Sequence, residues 1–424
     1  EGIASGSAIL AGSGSTVNAA IGSTIAGGLN NQIKDAKRST IVGGSDNRIT
    51  ASMYGTTIYG HDGVIVGGGD NELSGSERSF IGGGEENVIK QSNSSTVVAG
   101  HRNIINENGR SFIGGGQDNH ISGNAGPESY HWNVLVGGKS NKLGLLTGVG
   151  YQYGSILGGS HCTLQSSYGA VIGGWTNTNK AYMGLMGAGR QNTMNGTNYS
   201  FHLGSDTILG GYGNIINNMS SYYGSHIILG GYQNEIDGTI GGFLDMNSII
   251  GTGDDNDLLN APYGVIMNGR TCYIWGSSTV YPDYSFIGTG RINQIKGDSS
   301  GSSIIAGSLN VISSSRDTHA LGSHIKVISS SAHYQADTTY VNNLIVSGGS
   351  NHPIAGTGLF TGDVTILGNL QATQITSSII SSSILYSSGS NIFGDAETDS
   401  HTFNGSITGS NLLITSSAAT NVVQ

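Results

Sequence analysis

A short pattern of apolar, small and polar positions recurs along most of the chain. It reads apolar–x–small–Gly–x–x–Asn–x–apolar, and clear copies run over residues 25–33 and 41–49. Reading to residue 354 gives eighteen copies, and a degenerate nineteenth lies around Gly322. The shared glycines are Gly12, Gly28, Gly44, Gly68, Gly84, Gly100, Gly116, Gly138, Gly159, Gly174, Gly189, Gly211, Gly231, Gly253, Gly269, Gly290, Gly307 and Gly348.

The alternation of apolar residues within each copy, mostly Ile and Val, indicates β-strands rather than helices. The shared glycines are 16 residues apart in the first copies and more widely spaced later. A constant motif separated by spacers of variable length is typical of a solenoid in which insertions form loops at one corner of each coil. The sequence therefore predicts an all-β fold, a β-solenoid (β-roll) of about 18–19 rungs of roughly 16 residues. At ~4.8 Å per rung the rod would be roughly 85–90 Å long.

Two positions of the repeat have a predicted structural role. The shared glycine is expected to adopt positive φ or to allow a close backbone approach at a turn. The Asn that follows three positions later is expected to form a ladder of side-chain amides from rung to rung. Asn is replaced at this position only by Ser15, Cys162 and Cys272. We therefore interpret both cysteines as small buried residues and not as a disulfide or a metal site.

Composition and charge exclude several classes of protein. Glycine accounts for 72 of 424 residues, and only 10% are charged, against about 25% in an ordinary domain. Too few large side chains are present for a thick α/β core. The net charge of −10 with scattered basic residues argues against nucleic-acid binding. No apolar run approaches the ~18–20 residues that would insert in a membrane.

The outward positions of the first strand of each copy show a compensation of volume. A large residue is followed two positions later by glycine, whereas a small residue is usually followed by Val, Leu or Ile. Compensation of this kind is a property of close-packed interiors, so we expect a second body to cover this face. The prediction is a homotrimer around an axis along the rod. The trimer-packing pairs are Phe80 and Gly82, Phe112 and Gly114, Leu185 and Gly187, Ile249 and Gly251, and Phe286 and Gly288.

The motif Ser-x-Ile-x-Gly-Gly-x-x-Asn, present at 79–87, resembles the β-roll heads of trimeric autotransporter adhesins and of related phage tail fibres. The resemblance covers about residues 5–354. Segments 362–370 and 390–407 resemble the C-terminal stem modules of phage tail fibres. The implied organisation is a solenoid over 1–354 and a β-rich stem module over 355–424. No sustained heptad is present, which favours a tail fibre on the virion surface over a bacterial adhesin on the extracellular surface.

Aromatic residues concentrate in the longer spacers of a loop-rich part, about residues 122–343. Such rings among Asn, Ser and Gly are typical of recognition surfaces, although loops stacked on a solenoid also pack on one another. They are candidates for binding a host cell-surface receptor, a glycan or a protein, while other virion proteins would bind through segments outside this sequence. The candidates are Tyr130, Trp132, Tyr151, Tyr153, Tyr199, Tyr222, Tyr223, Trp275, Tyr281 and Tyr284. Trp175, Tyr212 and Tyr232 lie inside the rung and are expected to stack.

Catalytic and metal-binding alternatives have weaker support. A glycan depolymerase needs two carboxylates facing a groove. The obvious acidic pairs, 85–86 and 254–255, occupy turn positions, which solvation explains. His319 and His324 could contribute to a metal site on a three-fold axis, although exposed loops also account for them. The expectation is a protein with no enzymatic activity, no cofactor and no bound metal.

Overall fold

The computed structural model describes residues 5–54, 57–123, 131–144, 153–196, 205–218, 224–230, 232–237, 246–252, 254–259, 263–268, 270–275, 284–328 and 338–341. Within these ranges every regular element is a β-strand. The chain divides into two units, Glu1–Ile345 and Val346–Gln424, and the described residues all belong to the first. The predicted stem module, 355–424, and the rung around Gly348 lie outside the described residues.

Most rungs contribute one strand to each of two stacks of parallel strands, while the rung of residues 254–259 forms no second strand. The first strands form one 19-stranded sheet, and the second strands form sheets of 13 and 4 strands. The first strands are Ala8–Ile9, Thr24–Ile25, Thr40–Ile41, Val64–Ile65, Phe80–Ile81, Thr96–Val97, Phe112–Ile113, Val134–Leu135, Ser155–Ile156, Ala170–Val171, Leu185–Met186, Thr207–Ile208, Gly224–Ile228, Met246–Ile250, Val265–Ile266, Phe286–Ile287, Ser303–Ala306, Thr318–Leu321 and Thr338–Val341. The second strands are Thr16–Asn18, Gln32–Lys34, Arg48–Thr50, Glu72–Ser74, Val88–Lys90, Ile104–Asn106, His120–Ser122, Lys142–Gly144, Thr163–Leu164, Thr178–Asn179, Thr193–Gly196, Ile215–Asn218, Glu235–Asp237, Tyr273–Trp275, Gln294–Lys296, Val311–Ser313 and Lys326–Ile328. The predicted β-solenoid is confirmed.

The core is a narrow column that receives one side chain from each strand. Ile81 of a first strand and Ile89 of the following second strand are fully buried, and the same two positions are buried in rung after rung. Since neighbouring residues of a strand point to opposite faces, the residues that flank each buried one point outward. Burying an Ile side chain stabilises the fold by about 1.5–3 kcal/mol. The long series of thin rungs therefore replaces one thick core.

The shared glycine has the predicted backbone conformation. Its φ is positive wherever the structure describes it, from 86° at Gly68 to 131° at Gly322. A Cβ at Gly84 would also overlap the carbonyl oxygen of Gly100 in the next rung. Both reasons for glycine therefore apply, and Gly322 occupies the same position, which confirms the degenerate copy.

The predicted asparagine ladder is present in the interior. The Nδ2 group of Asn87 donates to the carbonyl oxygens of Gly83 at 3.0 Å and Gly100 at 2.9 Å, and to Oδ1 of Asn71 at 3.1 Å. Its own Oδ1 accepts from the backbone N–H of Asn103 at 3.0 Å. Each amide thus satisfies backbone groups of its own rung and of the next rung, and it bonds to the side chain of the Asn in the preceding rung.

The residues that replace Asn keep the acceptor half of this ladder. Ser15 Oγ accepts from the backbone N–H of Asn31 at 3.2 Å. The sulfur atoms of Cys162 and Cys272 accept a backbone N–H from the next rung in the same way. Both cysteines are buried and free, and burial raises the pKa of the Cys272 thiol to about 11. Their interpretation as small buried residues is confirmed.

The structure adds a third hydrogen-bonded column that the repeat pattern did not reveal. The residue directly after the shared glycine forms an isolated parallel bridge to its counterpart in the next rung, as Trp175 does with Arg190. The longer spacers, such as 124–130 and 276–283, all follow a second strand and precede the next first strand. The spacer between the rungs of Gly44 and Gly68 contains an antiparallel hairpin, Ser52–Tyr54 with Thr57–Tyr59. The longer spacers therefore fall at one point of the repeat, between a second strand and the next first strand, as predicted.

Candidate interaction surfaces

The trimer-packing pairs, each a large residue followed two positions later by glycine, lie on the outward face of the first strands. The Phe80 ring lies over Gly82, with Cε1 3.2 Å from the place that a Cβ on Gly82 would take. The corresponding distance is 3.3 Å for Phe112 over Gly114. These rings fill the volume that the missing side chain leaves, so the volume compensation has a direct structural basis.

The same glycines have a second role that the sequence did not indicate. A Cβ at Gly82 would also overlap the carbonyl oxygen of Val98 in the next rung, and Gly187 and Gly251 approach the backbone of Leu209 and Met267 in the same way. Glycine at this position therefore permits a close backbone approach as well as compensating for a large neighbour. The structure places the other pair members, Leu185, Ile249, Phe286 and Gly288, on the same outward face.

These outward positions form an exposed apolar stripe in the single chain. We define the outer stripe as the two residues that directly precede and directly follow the buried apolar residue of the first strand in each rung, such as Thr96 and Val98 on either side of Val97. The stripe continues along the solenoid, and most rungs expose a large apolar side chain on it. Its exposed large apolar members are Leu10, Val42, Val66, Phe80, Val98, Phe112, Val136, Leu157, Ile172, Leu185, Leu209, Leu229, Met267, Ile305 and Leu321.

The outward face of the second strands has a different character. It carries polar and charged side chains such as Gln32, Arg48, Glu72 and Lys142, with Val88 among the few apolar ones. Two faces built on the same repeat therefore differ in polarity, and only the face of the first strands has an apolar stripe along most of the described length.

Two of the candidate receptor-binding residues belong to a stack of rings at the corner before the first strands. Trp132 and Tyr153 stack with centroids 5.1 Å apart, and Tyr153 stacks on Tyr168 at 5.1 Å. Arg110 lies over the other face of this stack, 5.0 Å from the Trp132 centroid, and Tyr182 contacts its far end edge-on. The ring faces therefore cover one another, and the ring edges are what this corner presents to solvent.

A second stack of the same kind contains Tyr284, which is 68% exposed. It stacks on Tyr263 with centroids 4.8 Å apart. Trp132, Tyr153 and Tyr284 each lie two residues before a first strand, and hence on the rungs themselves. The candidates that lie outside the described residues are Tyr130, Tyr151, Tyr199, Tyr222, Tyr223 and Tyr281.

Trp275 ends a second strand and lies beside a pair of carboxyl groups. It contacts Tyr273 edge-on, with centroids 5.4 Å apart. Asp257 occupies the preceding rung and accepts a hydrogen bond from the Trp275 side chain, while Glu235 lies one rung earlier. Burial and the neighbouring Glu235 raise the pKa of the Asp257 carboxyl to about 6. The sequence did not reveal this pair, because its members belong to different rungs.

The acidic pairs that the sequence did single out lie on turns. Glu85 and Glu86 are exposed, and Asp254 pairs with Arg270 at 3.2 Å. Solvation and ion pairing therefore account for them.

The two histidines considered as metal ligands are placed differently. His319 lies on the outer stripe in the strand Thr318–Leu321, where its Nδ1 is 2.8 Å from Ser303 Oγ. His324 is exposed after Gly322. The part of the chain that the structure describes contains no group of three His, Cys, Asp or Glu residues suited to a metal ion.

His226 is a buried ionisable residue that the sequence analysis did not select. It is 1% exposed, and both ring nitrogens are buried without a hydrogen-bond partner among the described residues. Burial lowers the pKa of His226 from 6.5 to about 4. Between these two values the unfolded chain binds a proton that the folded chain does not, so the free energy of unfolding falls as the pH drops from 6.5 towards 4.

Replacing His226 with Phe is expected to flatten this acid dependence. The histidine accounts for a loss of roughly 3 kcal/mol over that range, whereas the phenyl ring carries no proton. Denaturant melts from pH 7.5 to pH 4.5 measure the slope. The control variant is His324→Phe at an exposed site, which should keep the slope of the unmodified chain. An unchanged slope in His226→Phe would contradict the assignment.

The rings predicted to stack inside the rungs do so. Tyr212 and Tyr232 are parallel, with centroids 5.5 Å apart. The Arg190 guanidinium lies between Trp175, at 4.1 Å, and Tyr212, at 5.6 Å. The prediction of rung-on-rung stacking is confirmed, and the arginine that joins the two groups of rings is new.

The described residues include no apolar helix of membrane-spanning length. Neither a protein-family model nor a curated protein sequence matches the chain.

Proposed function

We propose that the chain is a structural fibre protein that assembles with two further copies of itself. The fibre would attach the particle or cell that carries it to a cell-surface receptor. The outer stripe is the observation that carries this proposal. Soluble monomers rarely expose extended apolar patches, and large ones mark interaction sites. A stripe that repeats at every rung needs a partner with the same repeat.

A second and a third copy of the same chain fit this requirement best. Each copy has the same rise per rung, so every row of the stripe meets a matching row in a parallel arrangement around a common axis. Closed symmetry of this kind is the usual arrangement of homo-oligomers. Because the Phe80 and Phe112 rings fill the space above their glycines, these rungs also present an apolar surface to a partner.

The proposed biological role is host attachment by a phage tail fibre on the virion surface. The resemblance of the repeat to β-roll heads supports this role, and a trimeric bacterial adhesin is the alternative within the same architecture. A trimeric fibre would carry three identical copies of each receptor-binding surface, so weak single contacts could add up to a high overall affinity. Sequence beyond the two ends of this chain would distinguish a virion-attachment module from a secretion anchor.

A second candidate function, a glycan depolymerase, is favoured by Glu235 and Asp257. Carboxyl groups on adjacent rungs are separated by about the ~4.8 Å spacing of strands, which is near the ~5–5.5 Å of retaining glycosidases. The raised pKa of Asp257 suits a general acid. Sustained release of reducing ends from host polysaccharide, lost in Asp257→Asn, would establish this activity in place of simple binding.

Replacing Val98 with Asp is expected to break the assembly. Val98 is 42% exposed on the outer stripe, and a trimer would place three carboxylates close together in an apolar interface, where unpaired charges cost several kcal/mol. Sedimentation equilibrium should give three times the chain mass for the unmodified protein and a lower mass for the variant.

The matched control is Val88→Asp, one rung earlier on the outward face of a second strand. This variant introduces the same charge at the same kind of residue and should leave the trimer mass unchanged. A monomer mass for the unmodified protein, or equal effects of the two variants, would overturn the proposed assembly.

A further inference from the structure

The turn between the two strands of each rung changes its chemistry along the solenoid. We define the turn edge as the two residues between the shared glycine and the Asn position in each rung. From the first rungs to Asp118 this edge is mainly acidic, and its acidic members are Asp46, Asp70, Glu85, Glu86 and Asp118. From Lys139 to Gln233 it carries no carboxylate. Carboxylates return at Asp254 and Asp255, and the rungs after them carry Arg270 and Arg291. In a chain with net charge −10, the segment from Lys139 to Gln233 is thus an aromatic stretch of the edge without carboxylates, bounded by acidic rungs on both sides.

The two cations of this segment differ in their surroundings, because Lys139 lies close enough to Asp118 of the preceding rung to lower the pKa of that carboxyl. Arg190 is stacked between Trp175 and Tyr212, and neither Arg190 nor Lys139 makes an ion pair with a described residue. In the acidic half, by contrast, Arg102 pairs with both carboxylate oxygens of Asp118, at 2.7 and 3.2 Å. Stacking holds the Arg190 guanidinium plane in place and leaves its N–H groups available.

A strip of bare backbone runs beside this segment. The residue before the shared glycine is glycine in most of these rungs, and a Cβ at Gly137, Gly158 or Gly230 would meet no atom within 4 Å. Two successive positions without large side chains therefore separate the outer stripe from the turn edge. The resulting shallow trough extends over six rungs, or about 24 Å at ~4.8 Å per rung, which suits an elongated ligand.

We infer that this trough and the turn edge from Lys139 to Gln233 bind an anionic polysaccharide. Arginine and lysine bind the carboxylates of a uronic acid polymer, the exposed edges of the stacked rings contact the sugars, and Gln191 and Gln233 supply amides for hydroxyl groups. The inference names the ligand class of the receptor-binding role proposed above and rests on that role. The polysaccharide would then bind to the rungs themselves and not to the inserted loops.

Titration calorimetry of the full chain with polygalacturonate tests this site, with the fully methyl-esterified polymer as the uncharged probe. We expect the acidic polymer to bind at least ten times more tightly than the ester, with an affinity that falls as salt is added. The double variant Lys139→Gln with Arg190→Gln should bind at least ten times more weakly. Lys139→Gln alone, at an exposed side chain, should weaken binding without affecting the fold.

The control variant is Arg102→Gln, a paired cation on the acidic half of the same edge, which should bind polygalacturonate like the unmodified chain. Equal binding of the ester, unchanged binding by the double variant, or equally tight binding of single-stranded DNA would overturn the inference. Sedimentation of the same samples separates the two proposals. A trimer that ignores polygalacturonate refutes only the ligand, and a monomer that binds it refutes only the assembly.

Discussion

Replacing Gly84 with alanine is expected to lower the free energy of unfolding by about 3 kcal/mol or more, from backbone strain and overpacking together. The φ of Gly84 is 88°, a conformation that residues with a Cβ rarely adopt. The added methyl group would overlap the carbonyl oxygen of Gly100 and come within 2.7 Å of Asn87 Nδ2. Both neighbours belong to the rigid ladder, so neither can move without breaking hydrogen bonds.

The adjacent glycine provides a matched control for this experiment. A Cβ at Gly83 would meet no atom within 4 Å, and its φ is not positive. Gly83→Ala should therefore melt close to the unmodified protein. Urea melts measure the difference, and hydrogen exchange should show the loss of protection centred on the rungs of Gly84 and Gly100. Equal stability of the two variants would contradict the role assigned to the shared glycine.

The rung frame was predictable because its constraints are local and repeated. The positions of Gly84, Asn87 and the buried Ile residues have the same neighbours in every rung. The same residue type is therefore required at each of these positions, and it recurs at a fixed spacing in the sequence. The same repetition explains why Ser15, Cys162 and Cys272 were recognisable as substitutes. They occupy a position whose surroundings are known from the other rungs.

The surface chemistry was less predictable because it depends on residues of different rungs. Arg190 lies between Trp175 and Tyr212, which are 15 and 22 residues away in the sequence, and the spacers between them vary in length. Glu235 and Asp257 meet for the same reason. Trp132, Tyr153 and Tyr284 were selected because they fall in the longer spacers, where packing of the rings on one another was the alternative to recognition. The sequence alone could not decide between the two, because the stacking partners belong to different rungs.

The two surfaces proposed for interaction follow from one property of the repeat. Every rung places its outer stripe, its glycine trough and its turn edge in the same order, so a change of residue type in successive rungs creates a continuous surface. The apolar positions of the outer stripe vary little in character from Leu10 to Ile305, which suits a constant partner. The turn edge carries no carboxylate between Asp118 and Asp254 and is aromatic there, which suits a ligand bound on one segment only.

Replacing Asn87 with Asp is expected to destabilise the protein by roughly 3–5 kcal/mol at pH 8, the cost of an unpaired charge in the interior. The carboxylate keeps the acceptor role towards Asn103 but loses all three hydrogen bonds that Nδ2 donates. It also faces the oxygens of Gly83, Gly100 and Asn71, which lie 2.9–3.1 Å from Nδ2 in the unmodified chain. Asn87 is fully buried, so water cannot relieve this repulsion.

The defect caused by Asn87→Asp should depend on pH with a definite sign. Burial and neighbouring oxygens raise the pKa of the introduced carboxyl in the fold above its unfolded value, so stability is lost as the pH rises through that folded pKa. The variant should therefore be closer to the unmodified protein at pH 4 than at pH 8. Asn87→Ser, which copies Ser15, keeps an acceptor without a charge and should show a smaller loss that is independent of pH. If urea melts give the two variants the same loss at both pH values, the ladder is not held by the amide donors.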